Sequence, residues 1–233
     1  MQKDLTRPNR CDKIKRKGGL SMEKATREFY DKRGPVLVKN LQKRHFEAYY
    51  CATKEEALQQ ILALIPEGST VGWGGAVSAS QVGVQAAVHA GSYHVIDRDS
   101  FSDPAEKNRC MRECFNADYF ITGANAISLD GQMVDIDGNG NRVGMIVYGP
   151  KNIIVVAGMN KVCQTLEDAV KRTRTVAAPM NQQRFGLPNP CTCTGICDDC
   201  LSETSICNQI LITRHCKPAG RIKFVLVGEE LGF

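Results

Sequence analysis

Six of the eleven cysteines, Cys191, Cys193, Cys197, Cys200, Cys207 and Cys216, crowd into 26 residues. The pattern Cys191-x5-Cys197-x2-Cys200-x6-Cys207 sets four thiols within 17 residues, one pair at CxxC spacing. Four thiolates so spaced can wrap one tetrahedral metal ion or an iron–sulfur cluster. Zinc ribbons bring two CxxC knuckles and this stretch has one, so a [4Fe-4S] cluster is the expected occupant and zinc the alternative. Gly195 relieves the turn, while Pro188 and Pro190 argue against helix. Free thiols or a redox disulfide are the bland reading, but six cysteines in a polar loop make poor packing material. The first 20 residues lack the apolar run of a secretory signal, so structural disulfides are not expected. Cys11, Cys51, Cys110, Cys114 and Cys163 are scattered and read as small buried hydrophobes. His215-Cys216 is a spare ligand pair with no evident role.

Two other stretches can do chemistry. Val71-Gly72-Trp73-Gly74-Gly75-Ala76-Val77-Ser78 is a glycine-rich turn from a strand into a helix. Its glycines let backbone approach a ligand, and its N–H groups suit a carboxylate or phosphate, with Ser78 adding a hydroxyl. It fits neither the Walker A nor the GxGxxG pattern, and no flavin or nicotinamide motif is visible elsewhere. Thr122-Gly123-Ala124-Asn125 ends a predicted strand, where open α/β sheets place their ligand crevice. Downstream, Asp135 and Asp137-Gly138-Asn139-Gly140-Asn141-Arg142 gather carboxylates, amides and a guanidinium. Asp-Gly-Asn-Gly is also ideal hairpin chemistry, and a hairpin is expected there. The candidate ligand residues are Gly72, Gly74, Gly75, Ser78, Gly123, Asn125, Asp137, Asn139, Asn141, Arg142 and Lys161; no catalytic residue stands out.

These residues need elements to hold them. Helix is expected over 23–32, broken at Gly34-Pro35, then over 36–44; a short strand follows at 46–51. Thr53-Lys54-Glu55-Glu56 is a capping box for a helix whose buried stripe is Ala57, Leu58, Ile61, Leu62 and Ile65. Strand 70–73 leads through the glycine turn into helix 78–90, then strand 93–97. Asp103 and Pro104 open another helix. Strand 119–122 precedes an antiparallel pair, 132–136 with 143–148. The run 152–157 suits a strand buried on both faces. A helix over 166–173 and a last strand over 222–227 complete the alternation. Repeated strand–helix units predict an α/β fold with a mostly parallel sheet flanked by helices.

Composition bounds the function. The chain has 233 residues, 42% hydrophobic and 24% charged, with a formal net charge of +5. Residues 1–21 carry seven bases and two acids, leaving 23 of each in residues 22–233. The basic excess therefore lies in a leader expected to be disordered, with Met22 as an alternative start, and residues 22–233 form one neutral domain. A nucleic-acid partner is not expected. No apolar run approaches the ~20 residues of a membrane span, so a cytoplasmic protein is expected.

In their order, the motifs resemble the lactate-utilisation (LUD) domain family, over about residues 22–233. The likeness rests on Gly72-Trp73-Gly74-Gly75, Thr122-Gly123-Ala124-Asn125-Ala126-Ile127, Asp137-Gly138-Asn139-Gly140-Asn141-Arg142, Gly149-Pro150-Lys151 and Gly158-Met159-Asn160-Lys161-Val162. Ala178-Pro179-Met180-Asn181 and Val227-Gly228-Glu229-Glu230-Leu231-Gly232-Phe233 extend it. The cysteine stretch looks like that of stand-alone members, with Cys193 as an addition. The resemblance implies a fold similar to the sugar-phosphate isomerase and coenzyme A transferase superfamily. It also implies a role in oxidising L-lactate to pyruvate, beside iron–sulfur or other oxidoreductase subunits. Residues 121–127 further resemble an isomerase segment whose aspartate transfers protons, but Asn125 stands there, and an amide is no general base.

Three functions stay open on this reading. The first is a lactate-oxidising component that binds a small anionic metabolite, with Arg142 and Lys161 supplying charge. The second is a non-enzymatic, zinc-stapled interaction protein. The third is an isomerase or transferase acting on a phosphorylated or CoA-linked substrate, for which Asp135 or Asp137 would serve as base. The oligomeric state is not legible.

Overall fold

The computed structural model describes residues 22–233; the leader expected over 1–21, with Cys11, lies outside them. In chain order the elements are α1 (Met22–Lys43), β1 (Glu47–Cys51), α2 (Lys54–Ala63), β2 (Thr70–Trp73), α3 (Val77–Val82), α4 (Val84–Ala90), β3 (His94–Ile96) and α5 (Pro104–Glu113). There follow β4 (Tyr119–Gly123), β5 (Ala126–Ser128), β6 (Met133–Asp137), α6 (Asn141–Tyr148), β7 (Asn152–Gly158), β8 (Val162–Cys163) and α7 (Leu166–Arg172). A π-helical turn over Thr173–Ala177 joins α7 to α8 (Ala178–Gln183), and α9 (Pro190–Thr194), β9 (Gln209–Thr213) and β10 (Ile222–Val227) close the chain.

Six strands form one all-parallel sheet in the order β1-β10-β7-β4-β2-β3. The apolar run of β7 is central and buried on both faces, as its composition demands. Its Ile153, Val155 and Ala157 face a core with Leu37 and Leu41 of α1 and Phe224 of β10. Its Ile154 and Val156 face the opposite core, with Ala57 and Ile61 of α2, Ala79 of α3 and Val88 of α4. That is the α/β architecture expected: a parallel sheet with helices on both faces. A second sheet, β8-β5-β6-β9, packs its Ile127 and Met133 into the α1 side.

Several boundaries differ from expectation, each for a physical reason. α1 runs unbroken through Gly34 and Pro35. Leu37 and Leu41 are fully buried, and Gly34 leaves room for the Tyr50 ring, since a Cβ there would lie 2.2 Å from it. Burial of this stripe outweighs the cost of an interior proline. The helix expected over 78–90 is divided by Gly83, whose φ of +88° breaks it into α3 and α4. The hairpin expected between 132–136 and 143–148 does not form. The partners of β6 are β5 and β9, both antiparallel, and 141–148 is the helix α6. Asp137 explains the switch: its carboxylate accepts from the backbone N–H groups of Asn139, Gly140, Arg142 and Val143, which starts a helix. Pro190, expected to prevent helix, instead opens α9 from its first turn, where its missing N–H costs nothing.

The chain turns back at β2 and β4: β2 leads outward to β3, whereas β4 leads the other way to β7. Ligand crevices of open α/β sheets lie beyond the strand ends at such a reversal. The segment after β10 is laid over the same end. Met159 N–H donates to Glu229 O at 3.2 Å, Leu231 N–H to Asn160 Oδ1 at 3.1 Å and Gly232 N–H to Gln81 Oε1 at 2.7 Å. Gly158 permits this approach, because a Cβ there would lie 2.5 Å from Glu229 O and 2.6 Å from Leu231 N. Gly158→Ala is therefore expected to cost about 1–3 kcal/mol through overpacking, read as a lower urea midpoint. An unchanged midpoint would mean that the last segment is not held against β7.

Candidate functional site

Nine of the eleven candidate ligand residues line one cavity of about 1200 Å³ at the β2/β4 reversal: Gly75, Ser78, Gly123, Asn125, Asp137, Asn139, Asn141, Arg142 and Lys161. Gly72 and Gly74 do not line it. Gly72 leaves space for Cys114 Sγ, 2.6 Å from where its Cβ would be, and Gly74 for the Phe120 ring and the Arg142 stem. Both are packing glycines at the turn.

Arg142 holds the site together rather than offering free charge. Its Nη1 donates to Asp135 Oδ1 and to Gly123 O at 3.2 Å. Its Nη2 donates to Asn125 Oδ1 at 2.8 Å and to Ile136 O at 2.7 Å, while Nε faces Asp137 at 4.0 Å. The cation expected for a ligand is thus engaged by protein acceptors. Asp135 is fully buried, and burial pushes its carboxyl up despite the opposing Arg142. Its Oδ2 has no hydrogen-bond partner. The Asp137 carboxylate is engaged by four backbone N–H groups. Asp135 does not line the cavity, and Asp137, which does, already accepts from backbone on both carboxylate oxygens. Asn125 is equally fixed: its Oδ1 accepts from Ile136 N–H and Arg142, leaving the Nδ2 group toward the cavity as a donor.

Lys161 is arranged differently. It is 5% exposed, and its Nζ meets Ser78 Oγ and Ala124 O, each at 3.0 Å. No carboxylate among the described residues lies within ion-pair distance of it. Burial, then the nearby Arg172 guanidinium, pulls its pKa down to about 7 against the pull of Asp135, with Arg142 lowering it further. Gly232, at φ +60°, passes directly above: a Cβ there would lie 2.9 Å from Nζ.

Sequence reasoning missed much of the cationic wall. Arg98, Lys107, Arg112 and Arg184 join Arg142 and Lys161 around the cavity, against Asp99, Asp137 and Glu203. Arg172 donates to Asn125 O at 2.5 Å and to Phe233 O at 3.3 Å, fixing both walls. A signal for Arg98 existed: it follows β3, and residues just beyond parallel strand ends face the crevice. Arg184 lies on the chain after α8 and gave none.

The cysteine loop forms another wall. Thr204, Ser205, Ile206 and Asn208 line the cavity, so Cys207 sits between two lining residues. Asn208 ties the loop to the Asp137 turn, donating from Nδ2 to Gly138 O at 2.9 Å and from N–H to Asp137 O at 3.0 Å. Asn189, 1% exposed, exchanges hydrogen bonds with Thr204, and Gln183 Nε2 donates to Cys191 O at 3.0 Å. Cys191, Cys197, Cys200 and Cys207 are free thiols. Desolvation and then the charges of its neighbours raise the pKa of Cys191, and those same neighbours act on Cys207. Four thiols close enough to feel one another match the donor chemistry of a metal or cluster. Among the described residues, however, no three such side chains are gathered to ligating distance. Cys193 is exposed, and Cys110 and Cys114 are buried, as core residues would be.

Comparison with known proteins adds a family. The LUD domain model matches residues 35–227. No curated protein matches the chain. Among solved structures, the chain is similar to a DUF162 family protein from Deinococcus radiodurans at 13% identity and TM-score 0.45, covering 86% of this chain and 97% of that one. It is also similar to ribose 5-phosphate isomerase from Plasmodium falciparum, at 17% identity and TM-score 0.31, over 48% of this chain and 52% of that one. For eIF2B beta from Chaetomium thermophilum the values are 13% and 0.36, over 49% and 44%.

Two outcomes separate the roles of the cations. Arg142→Ala leaves Asp135 buried and unpaired, so a loss of about 3–5 kcal/mol in urea denaturation is expected, partly restored by adding Asp135→Asn. Undiminished stability with lost anion binding would instead make Arg142 a ligand residue. For Lys161 the sign follows from a folded pKa below the unfolded one. The unfolded chain binds the extra proton between about 7 and about 10.4, so the cost of burying this charge is full below pH 7 and fades as pH rises. The stability of Lys161→Met relative to the native protein is expected to be more favourable at about pH 6 than at about pH 9. A pH-independent difference would contradict a buried, charge-penalised amine.

Proposed function

The chain belongs to the LUD domain family, and from that premise we propose that it is a cytoplasmic component of L-lactate oxidation to pyruvate. In this reading the cavity at the β2/β4 reversal holds the small carboxylate. Cys191, Cys197, Cys200 and Cys207 hold an iron–sulfur cluster in the neighbouring wall. The observation that carries the reading is the convergence of nine sequence-chosen residues on one cavity lined by six cations and three carboxylates.

The chemistry is consistent with that assignment. Lys161 and the Asn125 amide supply donors to a carboxylate, which desolvated cations bind more strongly than exposed ones do. Ser78 can meet a hydroxyl. Oxidation of L-lactate releases two electrons and two protons, and the electrons are assigned to iron–sulfur or other oxidoreductase subunits acting as acceptors. Cys191, Cys197, Cys200 and Cys207 would hold such a cluster, which would supply one-electron transfer near the cavity, as Cys207 is flanked by the lining residues Ile206 and Asn208. No helix among the described residues is long and apolar enough to cross a membrane.

Two measurements test the two halves. Isothermal calorimetry is expected to detect L-lactate binding that weakens as pH rises through about 7, because the bound carboxylate favours the charged Lys161 and a proton is taken up with it. No binding, or binding that strengthens with pH, would remove the anion site. Anaerobically purified protein is expected to carry iron and acid-labile sulfide, lost in Cys200→Ser; stoichiometric zinc without iron would remove the electron-transfer role.

A further inference from the structure

Lys161 is the one lysine buried among the described residues, and its surroundings suit an amine more than an ammonium ion. The two groups on Nζ, Ser78 Oγ and Ala124 O, are neutral oxygens at 3.0 Å. A neutral amine has two N–H bonds and one lone pair. With both N–H bonds directed at those oxygens, the lone pair is left for the cavity that Lys161 lines. The charged groups that act on it are Arg172, Asp135 and Arg142, two cations against one carboxylate. A second cation beside a desolvated lysine is a recognised way to free its lone pair for attack.

We propose that Lys161 is a nucleophile that condenses with the carbonyl group of a small 2-oxo acid held in this cavity, forming an imine. The proposal rests on the anion-binding reading for the carboxylate and adds a covalent step at the neighbouring carbon. Nζ adds its lone pair to the carbonyl carbon, and the carbonyl oxygen takes a proton to give a carbinolamine. Its hydroxyl then leaves as water, the two amine hydrogens being the ones lost with that oxygen, and the C=N bond forms. No electrons are gained or lost. Ser78 Oγ, which accepts from Nζ and donates to Leu231 O at 3.4 Å, orients the amine. The Asn125 Nδ2 group is a donor for the ligand's oxygen atoms. Gly232 closes over Nζ, limiting the water that would reverse the step.

The depressed pKa of about 7 supports the same step, since it leaves a large neutral fraction at physiological pH. A surface lysine with a pKa near 10.4 is neutral in roughly one molecule in a thousand there.

The test treats the full chain with pyruvate and sodium borohydride near neutral pH, followed by intact mass measurement and peptide mapping. One reduced adduct is expected, on Lys161, exceeding any surface lysine by on the order of a hundredfold, given the difference in neutral fraction. Lys161→Arg keeps the positive charge and removes the primary amine, so the adduct should vanish; L-lactate, which has no carbonyl group, should give none. Labelling spread over surface lysines and equal in Lys161→Arg would overturn the proposal. If L-lactate still binds by calorimetry in that case, the anion site stands and only the covalent step falls. If L-lactate binding fails while the Lys161 adduct forms, the covalent step stands and the lactate reading falls.

Discussion

One buried guanidinium organises the functional end of this molecule. Arg142 reaches from the start of α6 to Gly123 at the end of β4, to Asn125 two residues beyond it, and to Asp135 and Ile136 of β6, joining the parallel sheet to the smaller one. Taking such a charge out of water costs several kcal/mol, and hydrogen bonds to a charged group return roughly 1.5–3 kcal/mol each. The arrangement is stable only because nearly every donor is met. In being met, it sets Asn125 with its oxygen inward and its amino group outward, and fixes the strand ends that shape the cavity. Asp137 performs the companion task, turning the chain from β6 into α6 so that Arg142 arrives at all.

Against that neutralised pair, the other cations acquire meaning. Arg142 and Lys161 look equivalent in the sequence, as two basic residues near polar turns. Their surroundings make them opposites. Arg142 is surrounded by oxygen acceptors and a carboxylate, so its charge is consumed within the protein. Lys161 has two neutral oxygens and no carboxylate at contact distance, so its charge is costly while the cavity is empty. The cysteine loop is bound to the same turn through Asn208, which sets Cys207 next to two residues of the cavity wall.

The parallel sheet and most of its strands were legible because their patterns are local: the continuous apolar run of β7, the capping box before α2, and Asp103-Pro104 before α5. The hairpin expected after β6 failed because Asp-Gly-Asn-Gly suits two outcomes. Only the four hydrogen bonds to the Asp137 carboxylate select the helix. The break expected at Gly34-Pro35 failed because the burial of Leu37 and Leu41 is a tertiary gain that local propensity does not contain. At the site, glycine and amide positions were readable as types that line a crevice. The role of Arg142 was not, since a guanidinium held by residues 6 to 19 positions away looks in sequence like one waiting for a ligand. Arg172 and Arg184 come from chain that folds back late, and nothing in their local sequence marks them.

The central claim is that Lys161 lies, costly to charge, in a cavity that receives a small anion. NMR titration of the lysine side-chain amino groups, with and without L-lactate, tests it most directly. One lysine resonance, identified by its loss in Lys161→Arg, should titrate with a midpoint near 7 and move to a higher midpoint when L-lactate is added. If every lysine instead titrates near the usual value of about 10.4, and none responds to L-lactate, the account is contradicted.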